Sequence, residues 1–489
     1  MRPSPAPFGL LLALAACTVG PDFKPPPAPA VSGYTPQPLP AGTIATGVRG
    51  GDPQHFVRGM DIPGQWWTLF HSQPLNRLIE QALRANPDLD AAQAALREAK
   101  ENLAAGEGGL FPHASLGLQA EREAISGAQF GQPKLHETLS LVTPTLSISY
   151  APDVFGGTRR QIESLAAQAE YQQFELEATY LSLTANLVVA AVQEASLRGQ
   201  ITATEDIIRL QTNQLNVVRQ RFALGGASRA EVLTQEATLA QTRASLPGLQ
   251  KQLAQTRDQL IALTGGLPDK DLAERFDLDS LRLPQDLPVS LPSRMLEQRP
   301  DVRAALATLH AASANVGVAT ANQLPQFTLT ASGGTVSNSF STMFAPGTGV
   351  WSIAAGITQT IFDANELLHK KRAAVAALEQ AAAQYRSTVV KAFQNVADAL
   401  RALESDADAV AAQAAAERSA FASLDLSRRQ YQFGAIDYLT LLNAQRTWQQ
   451  ARISLVQAEA TRYADTAALF QALGGGWWHR ADVATHAER

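Results

Sequence analysis

Few side chains in this 489-residue chain are placed to do chemistry. Its eight histidines, at positions 55, 71, 113, 136, 310, 369, 479 and 486, are scattered and lack the spacing that ligands of one metal need. No P-loop, glycine-rich dinucleotide turn, zinc spacing or nucleophile elbow occurs. An enzyme is not expected, nor is any cofactor or metal. One thiol stands apart. Cys17 is the only cysteine, so no intrachain disulfide can form. It follows Arg2, an apolar run from Phe8 to Ala16, and the closing sequence Leu14-Ala15-Ala16. An apolar stretch this short reads as a signal peptide, residues 1–16, and not as a membrane span. The chemistry available to Cys17 after cleavage is acylation, which would tie the chain to a lipid.

The small residues before Cys17 resemble a bacterial lipoprotein cleavage box; an ordinary signal peptide that happens to contain cysteine is the plainer alternative. Residues 17–60 then read as an extended leader, rich in Pro and Gly from Gly20-Pro21 through Pro25-Pro26-Pro27 to about residue 53. Charge is balanced, with 40 Lys+Arg against 45 Asp+Glu and a net charge of −5. No basic excess points to nucleic acid, and no acidic block to a disordered tail. Alanine is abundant from about residue 80 onward, which favours long, closely packed helices. After the first twenty positions no run of eighteen apolar residues occurs, so no transmembrane helix is expected. A membrane role would have to use strands or a lipid.

The chain is written twice. Asn86-Pro87-Asp88-Leu89 returns as Arg299-Pro300-Asp301-Val302, 213 positions later, and the same offset takes Phe111-Pro112 to Leu324-Pro325. Further on, Phe222-Ala223-Leu224-Gly225 matches Tyr431-Gln432-Phe433-Gly434 at an offset of 209, which holds through Leu233/Leu442, Arg243/Arg452 and Gly265-Gly266/Gly474-Gly475. Each unit reads helix, strand, strand, long helix, turn, helix. The first covers 61–266 with a hairpin at 113–150 and a helical tip near 225. The second covers 299–476 with a hairpin at 326–360 and a tip near 434. Residues 267–298 link them, and 477–489 form a tail.

Helix lengths set the architecture. The helical pattern from Gly157 to Phe222 runs for about 66 residues, roughly 100 Å at about 1.5 Å each. The shorter helices, Pro87 to Leu110 and Ser228 to Thr264, together nearly equal it, as do Pro300 to Asn322 and Asp437 to Leu473 beside Glu366 to Phe433. The short helices can therefore stack end to end along the long one. Val232, Leu239, Leu246, Leu253 and Leu260 recur every seven residues, as do Leu441, Trp448, Leu455 and Leu469. That is a coiled-coil seam, interrupted in the second copy by Arg462. Pro247-Gly248 predicts a kink in the first return helix. The strands alternate: Leu116, Leu118, Ala120 and Leu146, Ile148, Tyr150 share one face, as do Phe327, Leu329, Ala331 and Trp351, Ile353, Ile357. A surface hairpin on a soluble protein would alternate in the same way. Four strands cannot close a barrel, because the smallest membrane barrels need about eight. Open strand edges are not tolerated in lipid. Three copies would supply twelve.

In these residues the chain resembles the TolC-like outer-membrane efflux factors, most closely the lipid-anchored NodT branch. The resemblance spans Cys17-Thr18-Val19-Gly20-Pro21-Asp22-Phe23, Trp66-Trp67 with Phe70, the Asn86 and Arg299 starts, Phe155-Gly156, and Tyr431-Gln432-Phe433-Gly434 followed by Leu439 to Gln445. It implies an α+β membrane protein: a homotrimer whose twelve strands form an outer-membrane β-barrel, continued by a periplasmic α-helical coiled-coil barrel. It implies a passive duct for small molecules in a tripartite efflux system, gated at its periplasmic end, with a periplasmic adaptor and an inner-membrane pump as partners. Residues 20–80 and 267–297 would pack around the tunnel's waist. Thr18, where Asp would favour inner-membrane retention, favours the outer membrane and its lipid.

Adaptor docking falls on the tips, at Arg221, Leu224, Gly225, Gly226, Ser228, Phe433 and Gly434, where the glycines would also serve simply as turn formers. Gate candidates are Tyr431, Asp437 and Asn443. Many relatives carry Asp at the last of these, so a carboxylate ring is lost there, and Asp437 would equally serve as a plain N-cap. A periplasmic adaptor lipoprotein or a soluble coiled-coil scaffold remains open from the residues alone. The first usually has one hairpin, and the second explains neither the lipid box nor the strands.

Overall fold

The computed structural model describes residues 18–480 except 32, 127, 129, 130 and 132–135. Cys17 and the signal peptide lie outside the described residues. In chain order the elements are β1 (His55–Arg58), α1 (Gln73–Ala85), α2 (Pro87–Gly108), β2 (His113–Ser126), β3 (His136–Tyr150), α3 (Gly157–Ala223) and α4 (Arg229–Leu263). Then follow β4 (Asp286–Val289), α5 (Pro292–Gln298), α6 (Pro300–Ala321), β5 (Gln326–Thr335), β6 (Gly349–Thr358), α7 (Glu366–Gln432) and α8 (Tyr438–Ala472). The long helices α3 and α7 are each 67 residues, and the return helices α4 and α8 are each 35. The return helices are shorter than the periodicity suggested because Ser228 and Asp437 stand outside them as N-caps.

The fold falls into two compact units. One holds residues up to 26, 95–173 and 304–386; the other holds 27–94, 174–303 and 387 onward. The first carries a four-stranded antiparallel sheet in the order β2-β3-β5-β6. Direct cross-strand partners share a face, so Leu116/Leu146, Ile148/Ala331, Phe327/Ile357 and Ala331/Ile353 lie on one side. Ser115/Ser147, Ser149/Thr330 and Ser332/Ser352 lie on the other, the last pair hydrogen-bonded at 2.8 Å. Leu116, Leu118, Trp351, Ile353 and Ile357 of the apolar side are all exposed in the single chain.

In this unit the first described residues of the leader are docked residue by residue. Arg160 of α3, almost fully buried, donates to the Val19 carbonyl at 3.1 Å and pairs with Asp22 at 2.6 Å. Phe23 stacks on His310 with ring centroids 4.3 Å apart, and His310 meets Glu163 at 2.9 Å. Gly20 has φ +94°, and a Cβ there would lie 2.4 Å from the Gly317 Cα, so the backbones touch because residue 20 is glycine; a Cβ on Gly317 would instead meet the Arg160 side chain at 2.7 Å.

The second unit holds two apolar cores. One gathers Trp66, Trp67, Phe70, Leu75 and Leu78 with Leu187, Leu400, Tyr463 and Phe470; Trp66 stacks on Phe470 at 5.4 Å. The other joins α3, α4, α7 and α8 towards their turns through Val218, Val232, Leu424, Tyr431, Tyr438, Leu441 and Trp448. Residues 27–60, which read as an extended leader, also carry β1 here, paired in parallel with β4 so that Phe56 faces Leu287. The linker 267–298 contributes β4 and α5, so both segments are part of the packed unit.

Arg462, expected to interrupt the α8 seam, is 0% exposed and fully engaged. It donates to the carbonyls of Gly50 at 2.7 Å and Asp52 at 2.8 Å, to Thr43 Oγ1 at 2.9 Å and to Gln54 Oε1 at 3.2 Å. The helix α4 is unbroken through Pro247. Proline removes the bond to the Arg243 carbonyl and crowds it, and both residues lie on an exposed stretch.

Candidate functional site

The helical turns are built alike in both copies. At the end of α3, Gly225 takes φ +77° and donates to the Phe222 carbonyl at 3.0 Å, while Gly226 donates to Arg221 at 2.8 Å. At the end of α7, Gly434 takes φ +74° and donates to Tyr431 at 3.1 Å, while Ala435 donates to Gln430 at 2.9 Å. Each is a Schellman stop, in which a left-handed residue lets two amides cover the last orphan carbonyls. The return helices then start on equivalent caps. Ser228 accepts from the Glu231 amide at 3.2 Å, and Glu231 reaches back to the Ser228 amide, completing a capping box. Asp437 accepts from the Thr440 amide at 2.8 Å, and hydrogen bonds from the Thr440 side chain and then its amide hold the carboxyl below the usual carboxylate range.

The turns of the two copies are tied together by Tyr431. Its hydroxyl donates to Glu231 at 3.2 Å, its ring meets Tyr438 at 5.8 Å, and the Arg221 guanidinium lies 4.6 Å over its face. Tyr438 donates to Gln235, whose amide in turn donates to the Gln211 carbonyl at 3.1 Å. Of the residues singled out from sequence, Arg221, Tyr431 and Ser228 with Glu231 thus share one network. Leu224 and Phe433 point into solvent, 88% and 87% exposed. Asn443 is exposed, its carbonyl accepting from Thr447 at 2.9 Å, and it has no part in the network. Glu231, Gln235 and Tyr438 were missed. The Ser228-x-x-Glu231 spacing was a signal for the first; the others carry none, because contacts between helices leave no mark in local sequence.

Among the described residues no group of three or more His, Cys, Asp or Glu is placed to hold a metal ion, and no helix is long and apolar enough to cross a membrane. The features of the fold are a sheet with one apolar face and two free edges, joined in sequence to 67-residue helices that return through paired turns. They define the outer-membrane channel class of transport protein.

The chain matches the Outer membrane efflux protein family over residues 78–266 and 291–475, and it belongs to that family. It is 31% identical over 425 residues to the pyoverdine export outer membrane protein OpmQ of Pseudomonas putida, covering 85% of this chain and 89% of that one. It is 27% identical over 472 residues to the cation efflux system protein CusC of Escherichia coli, covering 96% and 98%. Among solved structures the outer-membrane channel OprN is similar with a TM-score of 0.84 at 28% identity, over 94% of this chain and all of that one. The protein is the outer-membrane channel component of an efflux system, located in the outer membrane and extending into the periplasm.

Proposed function

We propose that three copies join into one passive duct: a twelve-stranded barrel in the outer membrane, continued by a periplasmic tunnel of helices. The observation that carries this reading is the four-stranded sheet, apolar on one face and polar on the other, with β2 and β6 unpaired at its edges. Lipid leaves no backbone edge unsatisfied, so the sheet must be completed by further copies. The turns then form the end that receives a periplasmic adaptor and an inner-membrane pump, with Leu224 and Phe433 offering apolar contact and Gly225, Gly226 and Gly434 close backbone approach. The pump supplies the energy; the duct catalyses no reaction and needs no cofactor. Tyr431, Asp437 and Asn443 remain the gate candidates; the network around Tyr431 ties the two turns within one chain. The cargo is small molecules, as the names of the relatives suggest.

A lipid on Cys17 fits the same reading. Thr18, its neighbour, rests against Gly156 at the start of α3, six residues beyond the end of β3. A chain leaving that point is next to the membrane boundary, where an acyl group would insert. Mass spectrometry of the mature N-terminus should find Cys17 modified. Native mass spectrometry of the detergent-extracted protein tests the duct: a particle of three times the 52.2 kDa chain mass, less the signal peptides, is expected. A stable single chain that keeps its β signal would refute the shared barrel.

A further inference from the structure

The sequence offsets and the strand registers together fix how β6 of one copy meets β2 of the next. Before the strands the two repeats are 213 positions apart; after them they are 209 apart. Both values come from the helices, and the hairpins obey them. His113 faces Ser149 in the first hairpin; adding the offsets gives Gln326 and Thr358, which face each other in the second. That pairing tests the sum of the two offsets; the strand starts His113 and Gln326, 213 apart, and the long-helix starts Gly157 and Glu366, 209 apart, fix each one separately.

The contact between β3 and β5 is the one place where the second strand of one repeat meets the first strand of another. There Tyr150 faces Leu329 and Thr145 faces Gly334. In a closed ring the repeats alternate, so the free edge of β6 meets β2 of a second copy in the equivalent contact. We propose that this seam has the register Gln359↔Leu116, Ile357↔Leu118, Ala355↔Ala120, Ile353↔Arg122 and Trp351↔Ala124, the second residue of each pair belonging to the neighbouring copy. This inference rests on the three-copy reading above and adds the partner strand and its alignment.

The register keeps the faces of the sheet. Ile357 and Trp351 lie on the apolar face of this sheet, as do Leu118 and Ala124, so the seam joins apolar face to apolar face. The intervening pairs, Thr358↔Gly117, Gly356↔Gln119, Ala354↔Glu121 and Ser352↔Glu123, join the polar faces. A slip of one residue would set Ile357 against Gly117 or Gln119 and turn one strand's apolar face into the lumen. Slips of two keep the faces, and only the duplication excludes them. The edges are free to pair: every described residue of β6, and of β2 up to Ala124, is exposed in the single chain.

Cysteine pairs measure the alignment. Ser352→Cys combined with Glu123→Cys puts both thiols on the polar face at one rung. Ser352→Cys with Glu121→Cys, or with Ile125→Cys, is displaced by two residues, about 6.6 Å at about 3.3 Å per residue, beyond the Cβ separation of about 4.5 Å that a disulfide spans. Mild oxidation in outer membranes should give covalent dimers and trimers about tenfold more abundant for the 352/123 pair than for either displaced pair, which cannot be bridged without backbone movement. The single-cysteine variants supply the background. Stronger linkage of a displaced pair would overturn the register. Absence of linkage in particles of three-chain native mass would overturn the β6–β2 seam while leaving the trimer standing. A single-chain mass would overturn both.

Discussion

Replacing Arg462 by Met tests what holds the leader on the helices. The guanidinium is fully buried and donates four hydrogen bonds, two of them to backbone carbonyls of Gly50 and Asp52. Methionine fills similar volume without a donor, so those carbonyls lose their partner inside the protein. An orphaned buried acceptor costs about 1–3 kcal/mol, and removing one side of a buried charged network costs about 3–5 kcal/mol. The loss has a ceiling, because the loop can lift away and let water serve the carbonyls. It is still held by the β1–β4 ladder, by Gln54, which donates to the Pro284 carbonyl at 3.1 Å and to Thr466 at 3.2 Å, and by Arg49, which pairs with Glu459 at 2.8 Å and Asp279 at 2.7 Å. The effect should therefore be local opening. Hydrogen exchange by mass spectrometry reads it at the amides of Thr43, Thr46, Gly51, His55 and Phe56, all bonded in the native loop. A loss of about 3 kcal/mol corresponds to about a hundredfold faster exchange. Protection in α3 and α7 should stay within a factor of a few. Unchanged exchange at these amides would refute the role assigned to Arg462. Equal loss along the long helices would show that the residue supports the whole bundle.

Asp406 has its carboxyl pushed up to about 7, first by burial and then by its hydrogen bond to Asp465 and that group's charge, with Arg462 pulling the other way. The folded state therefore holds the proton more tightly than the unfolded chain: its contribution is complete below about pH 4 and is lost as pH rises through about 7. Asp406→Asn should melt higher than the parent at pH 8 and alike at pH 4; a constant difference across that range would exclude the titration. Gly226 has φ in the ordinary range and room for a Cβ, whereas Gly434 has φ +74°, so Gly226→Val should weaken export at full trimer yield while Gly434→Val lowers the yield by straining its turn. Loss of yield in both would assign the pair to folding. Asp437→Asn keeps the cap acceptor and removes the charge, so reduced cation preference in single-channel recordings at equal heat stability would place a carboxylate ring there; unchanged selectivity leaves Asp437 as a cap.

The elements were legible because their signals are local and periodic. Period-2 runs such as Leu116, Leu118, Ala120 mark strands, the heptad from Val232 to Leu260 marks a seam, and the glycines at 225 and 434 mark the stops. The duplication turned single weak signals into repeated ones. The leader was not legible for the opposite reason. Arg462 reads as a fault in a heptad because two of its four partners are backbone carbonyls some 410 positions earlier, and a carbonyl belongs to every residue type. The same holds for Gly20 against Gly317 and for Phe23 on His310. Each residue type makes sense only once its distant neighbour is known. At the tips, the capping box could be read from Ser228 and Glu231, but not that Glu231 also takes the hydroxyl of Tyr431.

Where the two repeats differ indicates where the duct should open. Positions with backbone duties are kept: Gly225 and Gly434 stop the helices, and Ser228 and Asp437 cap them, each pair 209 positions apart. The polar contacts between the repeats at the tips are not kept. Tyr431 bonds Glu231 and underlies Arg221, and Tyr438 bonds Gln235, all within one chain. In a ring of three copies the opposite contact, second repeat to first repeat of the neighbour, would use the equivalent positions. These are Phe222 for Tyr431, Thr440 for Glu231, Gln430 for Arg221, Arg229 for Tyr438 and Ala444 for Gln235. Phe222 has no hydroxyl, Gln430 no charge and Ala444 no acceptor. These bonds would therefore be made within each chain and not between chains, so separation is expected to start at the three inter-chain seams. Tyr431→Phe removes the Glu231 bond alone and makes the two kinds of seam more nearly equal. A hydrogen bond to a charged group contributes about 1.5–3 kcal/mol, enough to raise the open fraction of a closed duct about tenfold or more if the gate loosens within the chain. If opening runs between chains, as the asymmetry requires, conductance in planar bilayers should change less than twofold while the melting temperature falls. A tenfold rise in open probability would put the gate inside the chain and refute the assignment.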